Sequence, residues 1–149
     1  MIHDEDVLTL DQIRTALIPV FQREKICFAY LFGSHAWGHP DSESDIDIAV
    51  FADPKLSYAE RFQLRLDLMG TLAKALAIDI EKIDVVVMQD VPPLLKINSI
   101  HKGLCIFERD RSERNLALLH IEQEYDDEAP YLCREGEETI RKILTQPLA

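Results

Sequence analysis

Residues 26–32, Ile-Cys-Phe-Ala-Tyr-Leu-Phe, form an unbroken apolar run that ends at Gly33-Ser34. A second apolar run, residues 48–51, leads out of Asp45-Ile46-Asp47. A run of strand length without polar alternation reads as a strand covered on both faces, so this segment commits the chain to a layered fold around a sheet. The Gly-Ser turn can offer backbone N–H groups and a hydroxyl to a phosphate. Asp45 and Asp47 are two apart, which puts them on one face of a strand, about 6–7 Å apart along the chain. Two carboxylates on one face of a buried strand repel each other unless a cation lies between them. The stretch therefore points to a Mg²⁺–nucleotide site. The competing reading is a half-exposed strand with both aspartates in solvent and Ile46 and Ile48 in the core.

The 149 residues suit one domain with at most a small appendage, and 47% hydrophobic residues can fill its core. No apolar stretch approaches the length of a membrane span. The acidic start, Met1-Ile2-His3-Asp4-Glu5-Asp6, does not read as a signal peptide. Cys27, Cys105 and Cys133 lack metal-ligand spacing, and the first two lie in apolar runs, as buried thiols in a reducing cytoplasm would. Net charge is −11, with 16 Lys and Arg against 27 Asp and Glu. That is the wrong balance for gripping phosphates of long nucleic acid, and suits a chain that docks on a basic partner.

Thr9-Leu10-Asp11-Gln12 fits a capping box, and Leu10, Ile13, Leu17 and Val20/Phe21 recur at helical spacing. A helix is predicted over 10–23, kinked or ended early by Pro19. Gly38 and Pro40 mark turns, so any helix from Ser34 is one turn long. A second capping box, Ser57-Tyr58-Ala59-Glu60, opens a helix over 57–77 with a stripe of Phe62, Leu66, Met69, Leu72/Ala73 and Leu76. Residues 82–88 make a β-branched strand, and a helix from Asp90-Val91-Pro92-Pro93 runs to about His101, where Gly103 stops it. Residues 104–107 make a short fourth strand. From Arg109 the chain turns helical, with a possible cap at Asp110-Arg111-Ser112-Glu113, an acidic run over 122–128, and a weak stripe of Ile140, Ile143 and Leu144. The expected division is 1–108 as the core domain and 109–149 as a helical extension that packs on the core or on a partner.

Asp84 stands inside the third apolar strand, between Ile83 and Val85-Val86-Val87. Aspartate is depleted in strand interiors and costly to bury, so a second strand with the same anomaly favours the functional reading. If the two strands are neighbours, Asp45, Asp47 and Asp84 converge as ligands for one or two Mg²⁺ ions in phosphoryl or nucleotidyl transfer, with Asp84 helping to deprotonate the attacking hydroxyl. Asp79 and Glu81 are rivals for the third acid, but they precede the apolar run.

Gly33-Ser34, ten residues, then Asp45-Ile46-Asp47 resembles the GS-x10-DxD signature of the polymerase-β-like nucleotidyltransferases; Ser44 fits its SDxD form, and Asp84 resembles the third acid on a later strand. The resemblance spans roughly residues 10–108 and implies an α/β (α+β) nucleotidyltransferase fold, a small mixed sheet flanked by helices. Among minimal members, the chain resembles the MntA-type antitoxins that pair with HEPN ribonuclease toxins. That likeness implies ATP as donor and AMP transfer to a tyrosine of the toxin. Gly33 and Ser34 would hold the triphosphate, and Asp45, Asp47 and Asp84 would be the catalytic and Mg²⁺-binding residues. Where many relatives carry a basic residue or two just after Gly-Ser, this chain has His35 and Trp37.

Two other functions stay open. One is nucleotide transfer to a small molecule such as an aminoglycoside, whose enzymes carry a larger second domain than a 41-residue tail. The other is a non-catalytic antitoxin that masks its partner. His35 and His39 read as loop histidines, Trp37 as packing or as a platform for adenine, and Tyr125 and Tyr131 as self-modification sites that nothing local favours. His101 and His120 have no partners at ligand spacing.

Overall fold

The computed structural model describes residues 8–33 and 45–128, the side chain of Glu128 excepted. These residues contain four helices and four strands. Helix α1 is Leu10–Arg23, strand β1 Ile26–Phe32, β2 Ile46–Ala52, α2 Tyr58–Leu76, β3 Ile83–Val87, α3 Pro93–His101, β4 Leu104–Glu108 and α4 Arg111–Glu128. Single 3₁₀ turns, Ile80–Lys82 and Met88–Asp90, bracket β3. The weak stripe at 140–144, Cys133 and Tyr131 lie outside the described residues.

Local chemistry sets the helix starts. Thr9 and Gln12 form the capping box, the Thr9 hydroxyl accepting from Gln12 N–H at 3.1 Å and the Gln12 side chain accepting from Thr9 N–H at 2.8 Å. Ser57 and Glu60 repeat it at α2. Asp110 caps α4, accepting from Ser112 N–H at 2.8 Å. Helix α1 runs through Pro19 without ending early. Thr15, whose carbonyl Pro19 leaves without its helical donor, and Pro19 itself are both exposed, so water can serve that carbonyl.

The sheet order is β3-β2-β1-β4. β1 pairs antiparallel with β2 and β4, and β2 pairs parallel with β3 through the α2 crossover. The apolar run 26–32 is thus a central strand, and residues 26–31 are buried. On one face, Ala29, Leu31, Ile48, Val50 and Val85 pack under α1 and α2. On the other, Phe28, Tyr30 and Ala49 pack with Ile97 and Ile100 of α3 and Leu118 and Ile121 of α4. Gly103, between α3 and β4, sits so close to the Ser99 and Leu31 carbonyls that a Cβ would collide with them.

The α2 stripe differs from expectation. Leu64, Leu68, Leu72, Ala73 and Leu76 are buried, while Phe62 and Leu66 are 49% and 45% exposed. Two adjacent apolar rows run along this helix, and at its N-terminal end only the row of Leu64 and Leu68 is buried. The sequence pattern alone does not choose between them.

Helix α4 closes the second face through a buried cation. Arg114 is 1% exposed. Its guanidinium donates to Glu108 Oε2 at 2.8 Å and to the Tyr30 hydroxyl at 3.2 Å, and lies 5.7 Å from the Tyr30 ring centroid. Nothing in the local sequence pattern marks Arg114 as a core residue.

Candidate active site

Parallel strands bring like ends together. β2 and β3 pair in the register Ile46–Ile83, Asp47–Asp84, Ile48–Val85, so the two aspartates are direct neighbours across the pair. The alternation that buries Ile46, Ile48, Ile83 and Val85 under α1 and α2 turns Asp47 and Asp84 to the opposite face. Further along that face Ala49 is fully covered. At the strand starts the cover is incomplete: Asp47 is half-buried, and Asp84 and Asp45 are exposed.

β1 runs the other way, so its last residue meets the start of β2, with Phe32 opposite Asp47. Gly33 follows in the left-handed region, with φ of 78°. A Cβ at Gly33 would collide with Asp47 Oδ2. Glycine is required there twice over, by backbone conformation and by the carboxylate against it. Gly33, Asp47 and Asp84, apart in sequence, therefore lie together at one end of the sheet.

The acids feel each other. The Asp47 carboxyl is pushed up from 3.8 to about 6, first by burial and then by the charges of Asp84 and Asp45. Of the expected phosphate-binding pair, Gly33 lies against Asp47; Ser34 lies outside the described residues, as do His35, Trp37 and His39. The rival acids stand apart from the aspartate pair. Asp79 precedes the 3₁₀ turn Ile80–Lys82 and Glu81 lies within it, and neither is opposite a β2 residue. Tyr125 is buried among the α3 and α4 side chains.

Residues 15–112 match the Polymerase beta, Nucleotidyltransferase family. The chain belongs to that family. A Methanocaldococcus jannaschii protein that carries the name protein adenylyltransferase is 28% identical over 97 residues, 65% of this chain and 97% of that protein. Among solved structures, the fold is similar to the toxin–antitoxin MntA–HepT, with a TM-score of 0.58 and 21% identity over 87% of this chain and 98% of that one. It is also similar to a chain of the Shewanella oneidensis complex of a tri-AMPylated HEPN toxin with the MNT antitoxin. There the TM-score is 0.52 and identity 22%, over 84% of this chain and 96% of that one.

Nucleotidyltransferase chemistry needs charge compensation for a triphosphate, and the donor set is suited to Mg²⁺. All the candidate ligands are carboxylate oxygens, and two of them on adjacent strands raise each other's energy until a cation intervenes. Among the described residues no group of three or more His, Cys, Asp or Glu side chains could by itself hold a metal ion. The expected convergence of three acids is therefore a facing pair, Asp47 and Asp84, with Asp45 two residues along. Mg²⁺ is commonly held by one or two carboxylates together with substrate phosphates and water, which is what such a pair offers.

Sequence reasoning missed Arg65 of the nucleotidyltransferase. Its Nε reaches from α2 around the sheet edge to donate to the Val85 carbonyl of β3 at 2.7 Å. No spacing rule reveals this, because the contact depends on the crossover that places α2 beside β3.

Proposed function

We propose that this nucleotidyltransferase is the antitoxin of a HEPN/MNT pair, and that it silences its HEPN ribonuclease partner by moving AMP from ATP to a tyrosine hydroxyl. The observation that carries the reading is Asp84 facing Asp47 beside the Gly33 turn, with both acids at an open strand end. The family membership and the adenylyltransferase name of the archaeal relative support AMP transfer to protein; the likeness to toxin–antitoxin structures supports the partner.

In this reading Gly33 and Ser34 hold the triphosphate and Asp45, Asp47 and Asp84 hold Mg²⁺, which when bound would neutralise phosphate charge and stabilise the leaving pyrophosphate. The tyrosine oxygen bonds to the α-phosphorus, the bond from that phosphorus to the β-phosphate bridging oxygen breaks, and pyrophosphate leaves. Asp84, the more exposed of the facing pair, takes the proton of the attacking hydroxyl. Asp47 is the more enclosed acid and positions the phosphate side.

The test is incubation with ATP labelled at the α-phosphate, Mg²⁺ and the product of the neighbouring gene, a HEPN protein in this reading. Label on the HEPN protein that vanishes with Asp45→Asn or Asp47→Asn is expected. Neutralisation of the toxin undiminished in both variants would sink the catalytic account in favour of masking, and label found only on an added aminoglycoside would favour the small-molecule reading.

A further inference from the structure

Helix α2 keeps a second apolar row outside the core. Tyr58, Phe62 and Leu66 are spaced four apart, so they form one ridge on the helix surface. Tyr58 is 65% exposed, and Phe62 and Leu66 are nearly half exposed. Gly70 continues the row by one more turn without a side chain, and nothing lies within 4 Å of where its Cβ would be. Glycine inside a helix costs stability relative to other residues, and no contact within the fold requires it here. Exposed apolar side chains scattered singly are ordinary; three in one row, ending on bare helix backbone, make a continuous face.

Two depressions border the row. At one end Tyr58 and Phe62 line a cavity of about 290 Å³ with Val91. At the other, Leu66 and Gly70 line a groove of about 700 Å³, with Val20 and Arg23 from the end of α1. The charge around this face runs against that of the chain, whose net charge is −11. Arg23, Arg61, Arg65 and Lys74 line the two depressions, against Asp67 and Asp90. Arg61 is engaged by Asp90, donating to both carboxylate oxygens at 2.8–3.1 Å. Arg65 commits only its Nε, to the Val85 carbonyl at 2.7 Å. Among the described residues Arg23 and Lys74 make no ion pair. Asp67, which accepts from Gln63 at 2.8 Å, is then the remaining acid of the lining against three cations.

We propose that the outer row of α2 is the docking face for an amphipathic helix of the partner protein, one that carries acidic residues beside its apolar row. Tyr58, Phe62 and Leu66 bury against the apolar row, Gly70 lets the partner's backbone come close, and Arg23, Arg65 and Lys74 meet the acids. A ridge of residues four apart packs into the matching groove of another helix. A small anion would leave the apolar row uncovered, and an uncharged helix would leave the cations without counter-charge. The proposal rests on the reading above for the partner's identity, the HEPN protein, and specifies how that partner is held. Ile83 and Val85 of β3 pack under α2 while Asp84 faces away, so docking here leaves the acids untouched.

The experiment titrates the HEPN protein onto the full chain by calorimetry, alongside AMP transfer and thermal melts. Phe62→Ser, and the double change Arg23→Glu with Lys74→Glu, are each expected to raise Kd by about tenfold or more. Gly70→Gln puts a better helix former where the fold leaves room, so its Tm should exceed that of wild type while its Kd also rises by about tenfold or more. Loss of folding cannot produce that combination. AMP transfer in these variants should show a raised KM for the HEPN protein and a wild-type kcat. Wild-type affinity in Phe62→Ser and Gly70→Gln overturns the docking face, and label still passing to the HEPN protein then leaves the adenylyltransferase reading standing. Weakening in Phe62→Ser with none in the charge-reversed double overturns the acidic partner helix. The expected Kd changes without any transfer support the face and remove the catalytic reading. A wild-type dimer that Phe62→Ser abolishes assigns the face to a second copy of the chain and overturns the proposal.

Discussion

Asp47 and Asp84 stand opposite each other across the parallel β2–β3 pair, 37 positions apart in sequence and adjacent in the sheet. The burial of Asp47, and after it the charges of Asp84 and Asp45, have a thermodynamic consequence. The folded Asp47 carboxyl titrates at about 6 against an ordinary 3.8, so the folded state holds this proton more tightly than the unfolded chain. The stability it contributes is fully present below the ordinary value and is lost as pH rises through about 6. At neutral pH without divalent cation the ionised Asp47 is therefore a burden. Asp47→Asn should stabilise the protein at pH 7.5 in EDTA, by roughly 1–2 kcal/mol once solvent screening of this half-exposed group is allowed for. The gain should shrink toward zero at pH 4. Thermal melts of both proteins across pH check it, and an unchanged or lower Tm for Asp47→Asn at pH 7.5 would contradict the electrostatic account.

The same substitution should remove activity. Asp45→Asn, Asp47→Asn and Asp84→Asn are each expected to lower AMP transfer by on the order of 10²-fold or more, as loss of a charged group that stabilises transition-state charge does. Asp79→Asn and Glu81→Gln should stay within about twofold, because neither residue is placed opposite β2. Single-turnover rates at saturating ATP separate the two groups.

Gly33 tests the close approach of turn and acid. Gly33→Ala places a methyl against the Asp47 carboxylate at a φ of 78°. The left-handed conformation alone disfavours alanine by about 1–2 kcal/mol. Urea denaturation should report at least that loss. ATP binding, followed by quenching or calorimetry, should weaken in Gly33→Ala even where the protein remains folded.

Arg114 joins α4 to the sheet. Arg114→Ala takes the guanidinium from the Tyr30 hydroxyl and one of two from Glu108, which keeps Arg111, so the loss should fall below the about 3–5 kcal/mol of a buried pair left wholly uncompensated. Arg114→Met keeps the packed stem and should lose less. Urea midpoints of the two variants are read against wild type; an Arg114→Met midpoint equal to wild type would mean that packing rather than the ion pair secures α4, and equal midpoints of the two variants would mean the reverse.

Cys27 and Cys105 are held as thiols by burial, which pushes Cys27 up to about 12 and Cys105 up to about 11. The thiolate is the reactive form, so both should resist alkylation by iodoacetamide at pH 8 in the native protein and react on unfolding. Peptide mapping by mass spectrometry reads each position separately.

Much of this is legible in the sequence. Caps at Thr9 and Ser57, the two-sided burial of residues 26–32 and the anomaly of Asp84 are local signals, and local hydrogen bonding and apolar periodicity carry them. Helix α2 shows where such signals stop: its two apolar rows are equivalent until the sheet covers one, and Phe62 and Leu66 were left outside. Arg114 and Arg65 gave no signal at all, because each acts on a residue at least 20 positions away as well as through its own helix.

Sequence by itself determined the elements and the two strand-borne acids, Asp47 and Asp84, with Asp45 just ahead of β2, since propensity, capping and the rarity of aspartate in strands are properties of neighbours along the chain. Tertiary structure decided that the α2 crossover makes β2 and β3 parallel neighbours in the register that opposes Asp47 to Asp84. It also decided that antiparallel β1 delivers Gly33 to the same end. Pairing partner and register depend on how several amphipathic surfaces are buried at once, and no single segment contains that information.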